Sequence, residues 1–401
     1  MGAKLRFTLI ILLISLSSLL SDGIYSAEYR DNQADQYKKG VELYEKGLLE
    51  SAEKVFESLL KDTEISKSLF RADIEGYLTL ISIESSRANL HSKYKLMEQR
   101  WPQSSLISTI RLKYGSYLFD SGDFTAAYEI FSLIDSQNLT EKQLNEYYFK
   151  AGYTNFRTGN PQIALSRFGY VINNSPNSYT NPAIYYSAHI HYMMRDFTKA
   201  IDLFSRIGND PRFSLLSRYY ILESKFMLKE YKFVTEKGEE LFNLLSGDLK
   251  TKCARVVSEA FFALDNTEKA KFYFEKYSQN NDNLSRKDIY YAGILAYTQK
   301  NYNDAIGILK QVISVEDSLT QNASYHLGRC YIEIKNKFEA LNSFPIASEG
   351  NSDLSIKEDA LFNYAKLSFD LNSDITKLMM VTKWGSYQRA ISLIHKIIIT
   401  G

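Results

Sequence analysis

Residues 112–131 read Leu-Lys-Tyr-Gly-Ser-Tyr-Leu-Phe-Asp-Ser-Gly-Asp-Phe-Thr-Ala-Ala-Tyr-Glu-Ile-Phe, and this stretch decides the fold. It sets small residues, Gly115 and Ala127, among large apolar ones, Leu118, Phe124 and Phe131, on either side of a turn signal at Ser121-Gly122-Asp123. Offset by 37 residues, the arrangement returns as Ala151-Gly152, Asn155, Gly159, Pro161, Ala164 and Phe168. It comes back 36 later as Ala188, His191, Phe197, Ala200 and Phe204. Two later copies are Gly293, Ala296, Tyr302, Ala305, Leu309 and Gly328, Tyr331, Ala340, Phe344. Self-similarity at this period marks an array of supersecondary units that must stack to complete a core.

An alanine column tests the register. Ala127, Ala164, Ala200, Ala270, Ala305 and Ala340 are spaced 37, 36, 70, 35 and 35. The 70 is a double step, which places a degenerate column residue at Thr235. Going backwards, Ala52 lies 75 before Ala127, leaving room for a unit whose column falls near Leu90. A glycine column runs in parallel through Gly40, Gly115, Gly152, Gly293 and Gly328, with Ala188, Ser258 and Ala365 as small substitutes. Small residues allow two helices to approach closely, and Phe131, Phe168, Phe204, Phe274 and Phe344 fill the space between hairpins. Turn signals recur at Thr158-Gly159-Asn160, Lys300-Asn301 and Lys335-Asn336. The reading is an all-α, right-handed solenoid of about ten helical hairpins over residues 34–372, with no strands.

On these residues the chain resembles the tetratricopeptide repeat family, whose unit of about 34 residues is a helical hairpin with this small-and-large pattern. The units here run to 35–37 residues, and the Trp usual early in the first helix is replaced by Tyr, Phe or aliphatic residues. Trp101-Pro102-Gln103-Ser104 and Ser175-Pro176-Asn177-Ser178 look like the end-of-repeat turns of bacterial envelope proteins of this kind. The resemblance implies a groove lined by first helices that takes extended or helical peptide segments. Carried over position by position, the inward residues are Leu112, Ser116 and Phe119; Phe149, Tyr153 and Phe156; Tyr185, His189 and Tyr192; Tyr290, Ile294 and Tyr297; and Tyr325, Arg329 and Ile332. This wall is aromatic rather than charged. Tyr offers apolar area, few rotors and one hydroxyl, which suits recognition. The competing reading of the same residues is simple packing between neighbouring first helices.

Composition narrows the function. Of 401 residues, 48 are Lys or Arg and 47 Asp or Glu, a net charge of +1. A dedicated nucleic-acid binder needs an electropositive surface, so nucleic acid is excluded as a partner. The two cysteines, Cys253 and Cys330, form no CxxC pair and read as small core residues. No GxxxxGK[ST], GxGxxG, HExxH or GxSxG is present, so no cofactor and no catalytic motif is expected. His189 and His191 point about 200° apart on a helix and cannot clamp one metal. The chain reads as a non-catalytic scaffold, not an enzyme. A glycan- or peptidoglycan-associated module is the alternative, since Tyr platforms stack on sugar rings.

The ends carry separate expectations. Lys4 and Arg6 precede an uncharged run from Phe7 to Leu20 and small or polar residues to Ala27, the layout of a secretory signal over residues 1–27. The apolar run is shorter than the roughly 20 residues needed to span a bilayer, and no later stretch is apolar enough to span. With no cysteine before Cys253, a lipoprotein anchored through an N-terminal lipidated cysteine is not expected. These features predict an exported, periplasmic protein, with anchoring by an uncleaved signal as the alternative, whose partners are envelope proteins or peptide segments. After residue 372 the register breaks, and residues 373–401 read as an atypical segment, either a truncated array or a helix covered by a partner.

Overall fold

The computed structural model describes residues 32–61, 70–174, 176–281 and 283–370, and among these it contains nineteen α-helices and no strand. The expected signal over 1–27 and the atypical segment 373–401 lie outside the described residues. The helices fall into two compact units, one ending at Met194 and the other beginning at Arg195.

In the first unit the hairpins are α1 (32–45) with α2 (Leu49–Leu60), α3 (Phe70–Glu84) with α4 (Leu90–Arg100), α5 (Ile107–Asp120) with α6 (Phe124–Ser132), and α7 (Glu141–Arg157) with α8 (Pro161–Asn173). The unit ends on α9 (Thr180–Met193). The second unit begins with α10 (Phe197–Ser205). It continues as α11 (Ser214–Met227) with α12 (Tyr231–Leu244), α13 (Gly247–Ala263) with α14 (Thr267–Ser278), α15 (Arg286–Thr298) with α16 (Tyr302–Leu309), α17 (Ser318–Glu333) with α18 (Lys337–Glu349), and a final α19 (Leu354–Asp370). Within each unit first helices also pack directly on one another, α3 on α5 and α5 on α7 in the first, α11 on α13, α15 on α17 and α17 on α19 in the second. Each unit is an all-α tetratricopeptide-like solenoid.

One local device builds the hairpins. The first helix ends in a residue of positive φ: Gly47, Gly122 and Gly159 in the first unit, Lys229, Asp265, Lys300 and Lys335 in the second. The amide of the following residue donates back across the turn, Asp123 N to Leu118 O at 3.0 Å and Asn336 N to Tyr331 O at 2.8 Å. These bonds satisfy carbonyls that the helix end leaves open. That next residue then caps the second helix: the side chains of Asp123, Asp196, Asn266 and Asn336 accept from Ala126 N, Lys199 N, Lys269 N and Glu339 N. Pro161 occupies the first turn of α8, where its missing N–H costs nothing.

The two small columns face the large residues as expected. Ala52, Ala127, Ala164, Ala200, Ala270, Ala305 and Ala340 are all fully buried. A Cβ added to Gly115 would lie 2.6 Å from the Phe131 ring, and one on Gly328 would lie 2.7 Å from Phe344. Two register assignments change. In α12 the fully buried residue at the alanine position is Val234, not Thr235, because the turn at Lys229 shortens one step and lengthens the next. In the second hairpin the small residues near Leu90, Ala88 and Ser92, are exposed. The turn at Ser86 is longer, and α4 instead buries Leu90, Tyr94 and Met97. Cys253 and Cys330 are buried free thiols, each pushed up to about 12 by burial.

Candidate functional site: the first-helix faces

In the first unit, Phe149 and Tyr185 are buried, while Phe119, Tyr153, Phe156, His189 and Tyr192 are half-buried. The structure brings these rings into a ladder. Phe119 meets Tyr153 edge-on at 5.3 Å between centroids, Tyr153 meets Phe156 at 6.4 Å, Phe156 meets His189 at 6.1 Å, and His189 meets Tyr192 at 6.3 Å. Two rings outside the predicted set complete it. Phe124, at the start of α6, stands 5.4 Å from Tyr153. Tyr186 touches Phe149, Tyr153, Phe156, Phe168 and Tyr185, closest to Tyr153 at 4.8 Å. Tilted and edge-on pairs are the favoured arrangements of ring quadrupoles. Cations cover the outer rungs, with Arg157 Cζ 4.6 Å from the Phe124 centroid and Lys150 Nζ 5.4 Å from that of Phe119. Burial lowers the pKa of His189, keeping the ring neutral over a wider pH range.

In the second unit, Tyr290, Tyr297, Tyr325 and Arg329 are half-buried and gather around His326. The Tyr290, Tyr297 and Tyr325 ring centroids lie 6.3, 5.2 and 5.3 Å from that of His326. Tyr325 Oη donates to the Asp359 carboxylate on α19. His326 Nδ1 is buried and has no hydrogen-bond partner among the described residues. Burial, with Arg329 adding to it, lowers the His326 pKa to about 4.

The predicted wall skipped α11 and α13, which carry the most polar part of this face. Glu223 and Phe226 on α11, and Arg255, Glu259 and Phe262 on α13, occupy it. Arg255 stands 3.9 Å from Glu223 and 3.6 Å from Glu259, both longer than a hydrogen bond. A cleft of about 200 Å³ opens beside them, lined among others by Phe226, Glu259, Phe262, Lys287, Asp288 and Tyr290. The signal was present in the sequence. Ser258 belongs to the glycine column, so Glu259 and Phe262 follow it as Tyr153 and Phe156 follow Gly152. Among the described residues no group of three or more His, Cys, Asp or Glu could hold a metal ion, and no helix is long and apolar enough to cross a membrane.

Residues 263–344 match the family model of the anaphase-promoting complex, cyclosome, subunit 3. No curated protein matches the chain. Among solved structures, the chain is similar to the C-terminal part of a TPR repeat-containing protein from Cytophaga hutchinsonii, at 13% identity and a TM-score of 0.49, covering 62% of this chain and 99% of that one. It is also similar to a tetratricopeptide repeat protein from Parabacteroides merdae, at 13% identity and 0.40, over 74% of this chain and 98% of that one. The apo form of RapI matches at 16% identity and 0.46, over 79% of this chain and 96% of that one. At these identities the likeness is one of fold.

Proposed function

We propose that the chain is a protein-binding scaffold that holds segments of partner proteins along its first-helix faces, and that it works after export, in the periplasm of a Gram-negative envelope. The observation that carries the reading is the row of half-buried rings on the first-helix faces, Phe119, Tyr153, Phe156, His189 and Tyr192 in one unit and Tyr290, Tyr297 and Tyr325 in the other. Each ring is already oriented by its neighbours, so little rotamer freedom remains to be lost on binding. Each also keeps an edge in water, which a partner's apolar side chain can cover. The basic-apolar-small order of residues 4–27 supports export.

A photo-crosslinking residue placed at Tyr192 or Tyr297 of the intact chain should yield protein adducts in an envelope extract. The same residue at exposed Glu129, on a second helix, should not. Equal labelling at all three positions would defeat the groove assignment. A reporter enzyme active only outside the cytoplasm, fused after residue 34, should be active; an inactive, full-length fusion would defeat export.

A further inference from the structure

The cleft of about 200 Å³ between α11, α13 and α15 is walled by Phe226, Phe262, Tyr290 and Tyr291, with Glu259, Asp288 and Lys287 on its surface. Pockets for whole small-molecule ligands are roughly 300–1,000 Å³, so this one has room for a single long side chain. Its rings are held from behind: Phe262 meets Tyr291 at 5.4 Å, and Tyr291 Oη donates to Ser258 O at 3.0 Å. Glu259 is mostly covered, with 23% of its side chain exposed, yet it makes no hydrogen bond among the described residues. Its ion-pair partner is Arg255 at 3.6 Å, on its own helix. Beside it stand two further carboxylates, Glu223 and Asp288, and two cations, Arg255 and Lys287, with Lys252 acting on Glu223 alone of these carboxylates. A desolvated, under-compensated carboxylate beside aromatic faces attracts a cation twice over, through charge and through the ring quadrupoles. Burial raises the Glu259 pKa, as incomplete pairing requires, against the lowering effect of Arg255 and Lys287.

We infer that this cleft is a subsite for one cationic side chain, arginine or lysine, of a partner segment, seated among Phe226, Phe262 and Tyr290 with its charge against Glu259. The inference rests on the scaffold reading and names the partner chemistry at one point of it. The probes are acetyl-arginine amide and its neutral isostere acetyl-citrulline amide, titrated into the intact chain while the aromatic NMR resonances of Phe226, Phe262 and Tyr290 are followed. Acetyl-arginine amide should give saturable shifts with a Kd of about a millimolar, the strength one side chain can supply, and the citrulline probe should give none. Glu259→Gln should weaken arginine binding at least about fivefold, and Phe226→Leu about threefold, both with unchanged melting. Equal shifts from the two probes, or undiminished binding by Glu259→Gln, would overturn the subsite. Should Glu259→Gln fail to fold, Phe226→Leu on a different helix decides in the same way. Failure here with crosslinking at Tyr192 and Tyr297 intact removes the subsite and leaves the scaffold; the reverse result removes the scaffold alone.

Discussion

The first-helix face before Met194 is closed by ring meeting ring, whereas the corresponding face after Arg195 is interrupted by charge. In the first unit the positions one and four residues after Gly152 are Tyr153 and Phe156, which pack into the ladder that Tyr186 holds together. In the second, the same positions after Ser258 are Glu259 and Phe262, and a cleft opens where the ladder would continue. One backbone plan therefore gives two surfaces. A ring can fill the gap between first helices and gain by doing so; a carboxylate cannot be buried there without a partner, so the gap stays open.

The largest test of this contrast is truncation within the ladder. Tyr186→Ala removes five ring contacts and should cost the first unit about 3–4 kcal/mol, read by denaturant unfolding. Phe226→Ala, at the edge of the cleft, should cost only about 1–2 kcal/mol. Equal costs would mean that the two faces are packed alike. A second test concerns the close approach of helices that both units share. Gly115→Ala would drive a Cβ to 2.6 Å from Phe131 and should destabilise by about 1–3 kcal/mol. Adding Phe131→Ala, which removes the ring that the new Cβ would strike, should make the double mutant less destabilised than the sum of the single changes; an additive double mutant would break the account.

A third test uses pH, which acts on a half-buried histidine in each unit, His189 in the first and His326 in the second. The unfolded chain takes up a proton at His326 near 6.5, while the folded ring resists until about 4. The unfolded state therefore binds more protons across that window, and stability, full above it, falls as the pH drops from 6.5 to 4. The loss should approach about 3 kcal/mol in the second unit. His326→Gln should flatten it, and an unchanged pH profile would show the ring to be wetter than its surroundings imply. The smallest effect lies in the turns. Three hairpin turns of the first unit place glycine at positive φ, Ser86 being the exception, where the second places Lys300 and Lys335. A side chain there costs roughly 1 kcal/mol against glycine. Lys335→Gly should thus stabilise by about 0.5–1 kcal/mol and Gly159→Lys should destabilise by a similar amount; a melt unmoved by both would mean the turns carry no strain.

The repeat was legible because its two small columns are forced. Ala164 or Ala340 cannot grow without striking a neighbouring helix, so the period survives in the sequence. Val234 escaped because it is not a small residue, and the adjacent Thr235 stands nearer the average spacing. The predicted wall was legible at Tyr153, His189 and Tyr290, where the columns are glycine or alanine. It was lost at α11, whose column residue is not small, and with it went Glu223, Phe226 and the cleft. His326 was visible as a histidine beside Tyr325, but nothing along the chain announces that Tyr290 and Tyr297, from another helix, close on it as well.

From the sequence alone came the helices, their hairpin turns and the order of stacking, since these depend on spacing, caps and side-chain size within some 40 residues. Only the tertiary structure decided which aromatic residues spend themselves on one another and which face open space. That choice depends on whether the ring one repeat away reaches across the gap, a distance that no local pattern encodes.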